Sequence, residues 1–483
     1  MRKPAKPVMN QMELSSKGEW FGSGSVWNGK EVFLAMNRRS EEWLSDCSFE
    51  RSLTRGLMDR VADLSNLSSA CRRVLSNGGS PGIDGMRTCD LGVWFSSNWQ
   101  RLQAELLSGS YTPSAVLGVQ IPKSGGGHRQ LGIPTVKDRL VQQAIHQILS
   151  PRYERVFSSS SHGFRRGGSA HGALSEACSH VASGHDVIVD LDLAKFFDEV
   201  NHDRLLWLLG RRIGDRRLLA LVGRFLRSGL LQEGLVSQRV KGTPQGGPLS
   251  PLLSNIVLDE LDKELERRGH RFVRYADDIV IFVRSPLAGD RVLSSISNYI
   301  ETRLHLKVNP TKSGVRRSSD VNFLGHSLLF DGTLGLSRES ERKFKNKVRL
   351  VTRRNRGISF ARMVKELNLL LRGWLNYFYL ARMGKKIKVL MSWVRRRLRC
   401  FRLKHCKRAI GISRFLRKQG VPTRRSWTTA ISRRGWWRKS GTPAATEGMS
   451  IKWFMQMGLY DLSSAYLAKH PKEPPYTRVR TVV

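Results

Sequence analysis

The fold of this chain is decided by the stretch Arg271-Phe272-Val273-Arg274-Tyr275-Ala276-Asp277-Asp278-Ile279-Val280-Ile281-Phe282-Val283, where two strand-like runs flank a pair of adjacent acids. The second run, residues 279–283, is wholly apolar and is typical of a buried strand. The residues between the runs then form a tight turn that carries both carboxylates at the tip of a strand. Two acids at such a place are costly unless a cation lies between them, and Mg²⁺ prefers carboxylate oxygens. Aspartate is also common in polar hairpin turns, so this stretch alone leaves both interpretations open.

The composition points to a polyanionic partner. The chain has 483 residues, enough for two or three domains. Its 82 Lys and Arg residues against 40 acids give a net charge of +42. This excess indicates nucleic acid most simply, with an anionic membrane surface as the alternative. No apolar run approaches the length of a membrane span, and the first residues lack the apolar core of a secretory signal, so we expect no membrane partner.

The six cysteines indicate neither a zinc site nor a disulfide framework, because no two of them form a CxxC pair. We expect reduced thiols and a cytoplasmic location, in a bacterium the cytoplasm or nucleoid. The cysteines are Cys47, Cys71, Cys89, Cys178, Cys400 and Cys406.

A second acidic strand precedes the paired acids. Residues 187–193 alternate in a way that predicts a strand with Asp192 near its C-terminal end. The strand then turns into a helix. We interpret Asp190, Asp198 and Glu199 as ordinary acids beside this strand-to-helix junction.

Two glycine-containing segments suit contact with phosphates. A predicted hairpin carries Lys123 and Arg129 on either side of a glycine tip, which suits clamping a triphosphate, although exposed basic hairpins often have no such role. The loop 241–251 leads into a helix with Ser250 as its N-cap. Its glycines allow a base pair or a phosphate to approach the backbone closely.

Helical patterns occupy much of the remaining chain. Apolar residues at helical spacing predict one helix over residues 57–75. Residues 341–440 hold 32 Lys or Arg residues and only two acids, Glu341 and Glu366, so helical stripes there have cationic outer faces. Two runs add positive charge and aromatic rings, which suits single-stranded or folded RNA: Arg395-Arg396-Arg397 and Arg433-Arg434-Gly435-Trp436-Trp437-Arg438. A solvated helix face is the alternative interpretation of the first run.

The three acids can converge. Asp192 at a strand end and Asp277-Asp278 at a hairpin tip can be neighbours in one antiparallel sheet. Three carboxylates there would bind two Mg²⁺ ions, which activate a 3′-hydroxyl and stabilise the departing pyrophosphate in an in-line phosphoryl transfer. Spacing alone does not prove this arrangement. The order of acid, glycine-rich loop, paired acids and lysine segment is more specific.

That order resembles the group II intron-encoded reverse transcriptases. Tyr275-Ala276-Asp277-Asp278 is similar to the metal-binding box of reverse transcriptases, and residues 371–377 are similar to the signature of the family's maturase region. The resemblance covers about residues 55–480. Further blocks of the family match at residues 80–85, 121–123 through 133–134, 161–167, 192–197, 243–251 and 323–326.

The resemblance implies an α+β fold of the right-hand polymerase type, in which fingers and a palm with an antiparallel sheet are followed by an α-helical thumb and maturase (X) domain. The implied divisions are a mobile arm at residues 1–50, fingers and palm at 51–338, thumb and maturase domain at 339–425, and a basic segment at 426–483 that is a candidate DNA-binding region. Many relatives end in an HNH endonuclease with cysteine pairs. This chain shows no such pairs, so we expect no autonomous second-strand cleavage.

The resemblance also implies roles for particular residues. By resemblance, the catalytic and metal-binding set is Asp192, Asp277 and Asp278 with two Mg²⁺, for which Mn²⁺ can substitute, joined by Lys312, which protonates or neutralises pyrophosphate. The implied substrate-binding set is Lys123 and Arg129 at the triphosphate, Gln245 and Gly246 along template and nucleotide, and Phe197, the bulky residue that screens out a ribose 2′-hydroxyl.

The implied function is RNA-directed DNA synthesis by a protein that binds its own group II intron RNA and assists splicing and retromobility. The implied partners are that intron RNA, an RNA template with a DNA primer, deoxynucleoside triphosphates and target DNA. The sequence does not decide whether the protein forms a homodimer.

Three alternatives stay open. They are a relative repurposed for host defence or DNA repair, a maturase that only assists splicing, and an RNA-dependent RNA polymerase. The intact acids argue against the second alternative, and the bulk of Phe197 argues against the third.

Overall fold

The computed structural model describes residues 56–122, 127–232, 235–244 and 246–470. The strands are β1 (Val116–Pro122), β2 (His128–Ile133), β3 (Val187–Asp192), β4 (Leu230–Gln232), β5 (Leu235–Ser237), β6 (Arg271–Tyr275), β7 (Asp278–Val283), β8 (Gly314–Arg317), β9 (Asn322–Phe323), β10 (His326–Leu328) and β11 (Leu334–Leu336).

The helices before β9 are α1 (Leu57–Val61), α2 (Leu64–Asn77), α3 (Leu91–Ser108), α4 (Val136–Tyr153), α5 (Ala170–Ala182), α6 (Phe196–Glu199), α7 (His202–Arg212), α8 (Arg216–Arg227), α9 (Ser250–Arg267) and α10 (Pro286–Arg303), with 3₁₀ turns at Thr88–Asp90 and Ser318–Asp320. The later helices are α11 (Arg338–Val351), α12 (Phe360–Phe378), α13 (Gly384–His405), α14 (Ala409–Lys418), α15 (Thr423–Ile431), α16 (Trp436–Lys439), α17 (Pro443–Gly448), α18 (Ile451–Gln456) and α19 (Leu462–Lys469).

The central sheet has four antiparallel strands in the order β6-β7-β3-β8. Alternate side chains of β3 and β7 point to the same face, so Ile188, Val280 and Phe282 pack in one apolar cluster with helix α5. The same alternation places Asp190 and Asp192 in the row that Ile188 begins. On this face of β3 the apolar residue Ile188 lies near the start of the strand, and the acids Asp190 and Asp192 lie towards its C-terminal end. At that end the sheet is accessible to a ligand.

Two smaller sheets flank this centre. One has the order β2-β1-β4-β5, with β1 and β2 forming an antiparallel hairpin and β1 running parallel to β4. The other has the order β11-β10-β9 and leads into the later helices. The predicted strand at the lysine side of the hairpin is confirmed, although it starts earlier, at Val116.

The N-terminal part of the described chain contains two helices where the sequence predicted one over residues 57–75. Helix α1 ends at Val61, and the side chain of Asp63 then accepts a hydrogen bond of 2.8 Å from the Ser65 backbone N–H, which caps α2. The apolar spacing runs through both helices because each buries a face in the same core. Spacing alone could not reveal the break.

The chain is all-helical after β11 in the part that the structure describes. The long helix α13 supplies buried residues to one apolar core with α11, α12 and the helices that follow, among them Val394 and Leu398. The α+β fold with a helical C-terminal region is thus confirmed. Within the described residues, no helix is long and apolar enough to cross a bilayer.

Candidate active site

The paired acids lie at the turn between two neighbouring strands. Strand β6 ends at Tyr275 and β7 begins at Asp278, while Ala276 adopts a left-handed conformation with φ of 58°. The register of β3 against β7 places Asp192 directly opposite Asp278. The backbone therefore brings the two acidic segments together, as the sequence predicted.

The Asp192 carboxylate is held by the segment that follows helix α10. Lys312 Nζ lies 3.2 Å from Asp192 Oδ2, and Asn309 Nδ2 donates a hydrogen bond of 2.9 Å to the same oxygen. The Asp192 backbone N–H donates to Ser313 Oγ at 2.9 Å. Lys312 thus lies in the site, as predicted, but its partner is the carboxylate itself. A cation that binds Asp192 must compete with this ammonium group.

The residues fit a divalent cation by donor type, although no metal cluster is preformed. Among the described residues, no three His, Cys, Asp or Glu side chains converge closely enough to hold an ion. The available donors are the carboxylates of Asp192, Asp277 and Asp278 at adjoining strand ends. Hard oxygen donors of this kind suit Mg²⁺ or Mn²⁺ rather than softer metals.

Electrostatic crowding identifies Asp278 as the most perturbed acid of the group. It lies at the mouth of a cleft, where the surrounding protein desolvates its carboxylate. This desolvation, reinforced by Asp277, Asp190 and Asp192, raises the pKa of Asp278 to about 6, against a lowering effect of Lys312, even though the residue as a whole is exposed to solvent. Crowded carboxylates whose charge is unfavourable are a common feature of cation sites.

Asp190 belongs to this electrostatic group, although the sequence led us to interpret it as an ordinary strand residue. Its carboxylate forms an ion pair of 2.7 Å with Arg316 on β8. Burial raises the pKa of Asp190, an effect that Arg316 opposes and Asp192 reinforces. The missed signal was its spacing of two from Asp192, which puts both side chains on one face of β3.

A cavity of about 460 Å³ lies beside the acidic turn. Phe197 and Gly246, both predicted to contact substrate, line this cavity together with Asp277 and Asp278. Phe197 is buried and packs edge-to-face on Phe196, with ring centroids 5.3 Å apart. Its ring therefore forms a rigid wall beside the acids. Phe164, which the sequence did not single out, also lines the cavity and is 52% exposed.

The glycine-rich loop packs closely against the rest of the site. A Cβ on Gly246, where φ is +139°, would lie 2.5 Å from the Gly132 carbonyl oxygen, and one on Gly247 would lie 2.2 Å from Gln142 Oε1. Gly246 therefore requires glycine, whereas a side chain at position 247 would have to displace the end of Gln142. The helix after the loop starts at Ser250, with Leu249 at the cap, so the predicted Ser250 cap is wrong. The Ser250 hydroxyl donates instead to the Pro244 carbonyl at 2.6 Å.

Several predicted residues lie outside the described part of the chain. They are Lys123, Gln245, the arm at residues 1–50 and residues 471–483. For Arg129 the backbone is described, opposite Ile121 in the hairpin, but the side chain is not. Their roles stay predictions.

The three consecutive arginines of helix α13 all make contacts within the protein. Arg395 Nη1 lies 3.6 Å from Asp461 Oδ1, and Arg397 Nε donates to Thr352 Oγ1 at 3.0 Å. Arg396 stacks on the Trp437 ring at 4.2 Å. Their predicted contact with RNA stays a prediction, and any such contact must compete with these internal partners.

Arg396 also lines a second cavity, of about 1040 Å³, in the helical region. Three exposed arginines on its wall, Arg424, Arg434 and Arg438, form no ion pair or side-chain hydrogen bond with the described residues. Thr428 and other hydroxyl-bearing residues line the same cavity. We call this concavity the arginine cavity. Like charges around a concave wall repel one another, so an anion there would be stabilised strongly.

Comparison with known proteins gives a consistent family. Residues 121–328 match the family described as reverse transcriptase (RNA-dependent DNA polymerase). Residues 341–420 match the family described as the group II intron, maturase-specific domain.

Individual relatives agree with these matches. Protein YkfC of Escherichia coli (strain K12) is 32% identical over 304 residues, which cover 54% of this chain and 80% of that protein. Group II intron-encoded protein LtrA of Lactococcus lactis subsp. cremoris is 29% identical over 295 residues, 47% of this chain but only 49% of LtrA.

Among solved structures, a chain of the partial Cas6-RT-Cas1--Cas2 complex aligns with 51% of this chain and 42% of its own length, at 24% identity. Its TM-score of 0.34 is too low for an inference about function. The two family matches and the extent of the YkfC alignment are decisive. The chain belongs to the group II intron-encoded reverse transcriptases, with a maturase-specific domain after the polymerase region.

Proposed function

We propose that the protein copies RNA into DNA by a mechanism that depends on two divalent cations, and that it binds its own group II intron RNA to assist splicing and retromobility. The observation that carries the first half is the register that sets Asp192 opposite Asp278, beside a cavity whose wall includes Phe197. The second half is supported by the maturase-specific match over residues 341–420 and by a cationic cavity that is lined by Arg396 of that region and by residues 422–444, which follow it.

The carboxylates of Asp192, Asp277 and Asp278 would hold the cations. When bound, divalent cations activate a primer 3′-hydroxyl and stabilise negative charge on the triphosphate. In the reaction, the 3′-oxygen bonds to the α-phosphorus while the bond to pyrophosphate breaks. Lys312, released from Asp192, can then neutralise or protonate the departing pyrophosphate. The Phe197 ring occupies space beside the sugar and disfavours a 2′-hydroxyl.

The arginine cavity is the proposed contact for nucleic acid in the helical region. Three guanidinium groups without an acidic partner among the described residues, on a wall that also carries hydroxyl groups, can bind phosphates. This cavity spans the boundary between the predicted thumb and maturase domain (339–425), which contributes Arg396 and Arg424, and the candidate DNA-binding segment (426–483). Both DNA and RNA present the required phosphates, so competition between the two on the purified protein would identify the preferred partner.

The test separates the two proposed activities. Asp277→Asn combined with Asp278→Asn keeps side-chain volume and removes two negative charges, so the fold should survive. We expect this variant to lose complementary-DNA synthesis while it still binds the cognate intron and promotes its splicing at low Mg²⁺, because the intron RNA carries its own catalytic centre. Both activities are measured on the same preparations as wild type.

Two outcomes would contradict the proposal. A folded variant that binds the intron but fails to promote splicing would show that the maturase role depends on the polymerase site. Wild-type protein that extends primers but promotes no splicing would favour a repurposed reverse transcriptase.

A further inference from the structure

A buried arginine, Arg274, holds the turn that carries Asp277 and Asp278. Arg274, on β6, is wholly buried and forms an ion pair with Asp262 of helix α9, which is wholly buried too. Its Nε and Nη2 donate to the two Asp262 oxygens at 2.7 and 2.5 Å. A buried ion pair is a poor source of stability, because the lost hydration of two charges offsets their attraction. Its presence three residues before Asp277 calls for another reason.

The remaining donor of Arg274 points at the turn. Nη1 donates to the Ala276 carbonyl at 3.0 Å and to Asn255 Oδ1 at 2.9 Å. Ala276 is the left-handed residue that lets Asp277 and Asp278 follow one another at the strand tip. The guanidinium fork thus fixes the backbone of the turn from a helix that is itself held in the core.

Asn255 carries the connection to a second segment. Its Nδ2 donates to the Gly163 carbonyl at 2.9 Å. Residues 160–163 also pair with β6, since the Arg274 N–H donates to Ser160 O at 2.9 Å and the His162 N–H donates to Arg274 O at 2.8 Å. A Cβ on Gly163 would lie 2.1 Å from the Ala276 nitrogen, so the two backbones touch.

Phe164 follows this contact directly. It adopts a left-handed conformation with φ of 58° and lines the cavity beside Asp277 and Asp278. An unfavourable backbone conformation of a bulky residue persists only where its surroundings enforce it. Here the enforcing contacts are those of Gly163 with Asn255 and the acidic turn.

We propose that Arg274, Asp262 and Asn255 form a positioning clamp, which fixes the metal-binding turn and the Phe164 segment relative to each other. None of the three lines the cavity beside the acids, so they are positioning residues. The inference rests on the proposed polymerase function for its catalytic consequence, but the clamp itself is a statement about structure. A displacement of the turn by about 1 Å would cost on the order of 10²-fold in rate.

The test compares the same substitution at two buried arginines. Arg274→Lys keeps the charge opposite Asp262 but loses the fork that reaches Ala276. The matched control is Arg399→Lys in the helical region, where Arg399 is 9% exposed and donates to the Met449 carbonyl at 3.2 Å. Thermal unfolding reports the general loss of stability in both variants.

Three further readouts isolate positioning. We expect Arg274→Lys to lower kcat by about 10²-fold, to weaken Mn²⁺ binding by about tenfold in an electron paramagnetic resonance titration, and to speed hydrogen exchange in residues 160–164 and 271–279. Arg399→Lys should leave all three unchanged. If Arg274→Lys loses only stability, and keeps Mn²⁺ binding and exchange within about twofold of wild type, the clamp is a structural ion pair and the proposal is wrong.

A second variant keeps the test decisive if Arg274→Lys does not fold. Asn255→Asp retains the acceptor for Arg274 but removes the donor to Gly163, so exchange should quicken in residues 160–164 while 271–279 stay protected. Equal protection of both segments would refute the link between them. Because hydrogen exchange needs neither metal nor substrate, its result stands even if wild type proves to have no polymerase activity.

Discussion

The central sheet and the helical region differ in whether their cationic side chains have acidic partners. In the sheet, cationic groups near the site have acidic partners: Arg274 pairs with Asp262, Arg316 with Asp190 and Lys312 with Asp192. On the wall of the arginine cavity, three arginines have no such partner among the described residues. The first region uses internal charge to fix geometry at a reaction centre. The second leaves charge available to a polyanion from outside.

The largest expected effect follows from removing Asp192, the acid of β3 that lies opposite Asp278 of β7. Asp192→Ala should lower the rate of primer extension on an RNA template by at least ~10³-fold. The proposed cation site loses one of its ligands, and Lys312 loses its ion-pair partner. Asp203→Ala, at an exposed acid of helix α7, is the control and should extend primers normally. Near-normal extension by the Asp192 variant would end the two-cation proposal.

The contrast also explains which parts could be predicted from the sequence. The acidic site depends on strands and a tight turn, which are local patterns, so Asp192, Asp277 and Asp278 could be located at strand ends, whereas the register that sets Asp192 opposite Asp278 came from the structure. The spacing of two between Asp190 and Asp192 was visible in the sequence, but the Arg316 partner of Asp190 was not, and Phe164 was missed because its significance comes from residues distant in the chain. Arg316 lies 126 residues after Asp190, and Asn255 lies 92 residues after Gly163.

In the helical region the sequence predicted the positive charge but not the side of the helices to which each basic side chain points. Arg395, Arg396 and Arg397 follow one another on helix α13, so they point to different sides and meet different partners. Arg424, Arg434 and Arg438 are spread over two helices and a loop, yet they share one wall. Only the packing of helices α15 to α17 brings them together.

A smaller effect is expected at the cavity wall of the central site. Phe197→Ala should admit ribonucleotides, because it opens space beside the sugar without touching an acid. A loss of ~2 kcal/mol in discrimination corresponds to roughly 30-fold in selectivity. Competition between matched ribo- and deoxynucleotides measures it, with Phe196→Leu as a control on the neighbouring ring. Unchanged selectivity would make Phe197 a core residue only.

The salt dependence of RNA binding tests the charge of the helical region. Neutralising Arg424, Arg434 and Arg438 to Gln should lower the log–log salt slope by about 2 to 3, at roughly 0.7 to 0.9 per phosphate contact. The same change at Arg395, Arg396 and Arg397 is the comparison. Because Arg395, Arg396 and Arg397 have partners within the protein, neutralising them should change the salt slope less than neutralising the cavity arginines does. A larger effect of the α13 set would show that α13 provides the main phosphate contacts, and equal effects would show that both sets contact phosphate, since Arg396 of α13 also lines the cavity.

The smallest expected effect is the pH dependence of stability without metal, where two carboxylates of the sheet region should respond with opposite signs. Burial and neighbouring acids raise the pKa of Asp278 to about 6, so the folded state binds this proton more tightly than the unfolded state does. Stability from this group is therefore lost as pH rises from about 4 through 6. Asp278→Asn removes the penalty and should raise the melting temperature at pH 8 by about 1 °C, a small gain because Asp278 is exposed and solvent screens its charge, and the gain should vanish below pH 4.

Glu176 of helix α5 provides the opposite case. Burial would raise its pKa, but the hydrogen bond with His162, the imidazole of His180 at 3.6 Å and the hydrogen bond from Ser160 outweigh burial and lower the pKa to about 2. Its contribution is therefore fully present above about pH 4.5 and lost as pH falls through 2. Glu176→Gln should lower the melting temperature at pH 8, where Asp278→Asn raises it. Thermal melts of both variants in chelator across pH 4 to 8 measure the two signs together. A loss of stability in both variants at pH 8 would mean that ionised Asp278 stabilises the fold. Repulsion among the carboxylates at the turn would then not be the cost that a bound cation removes.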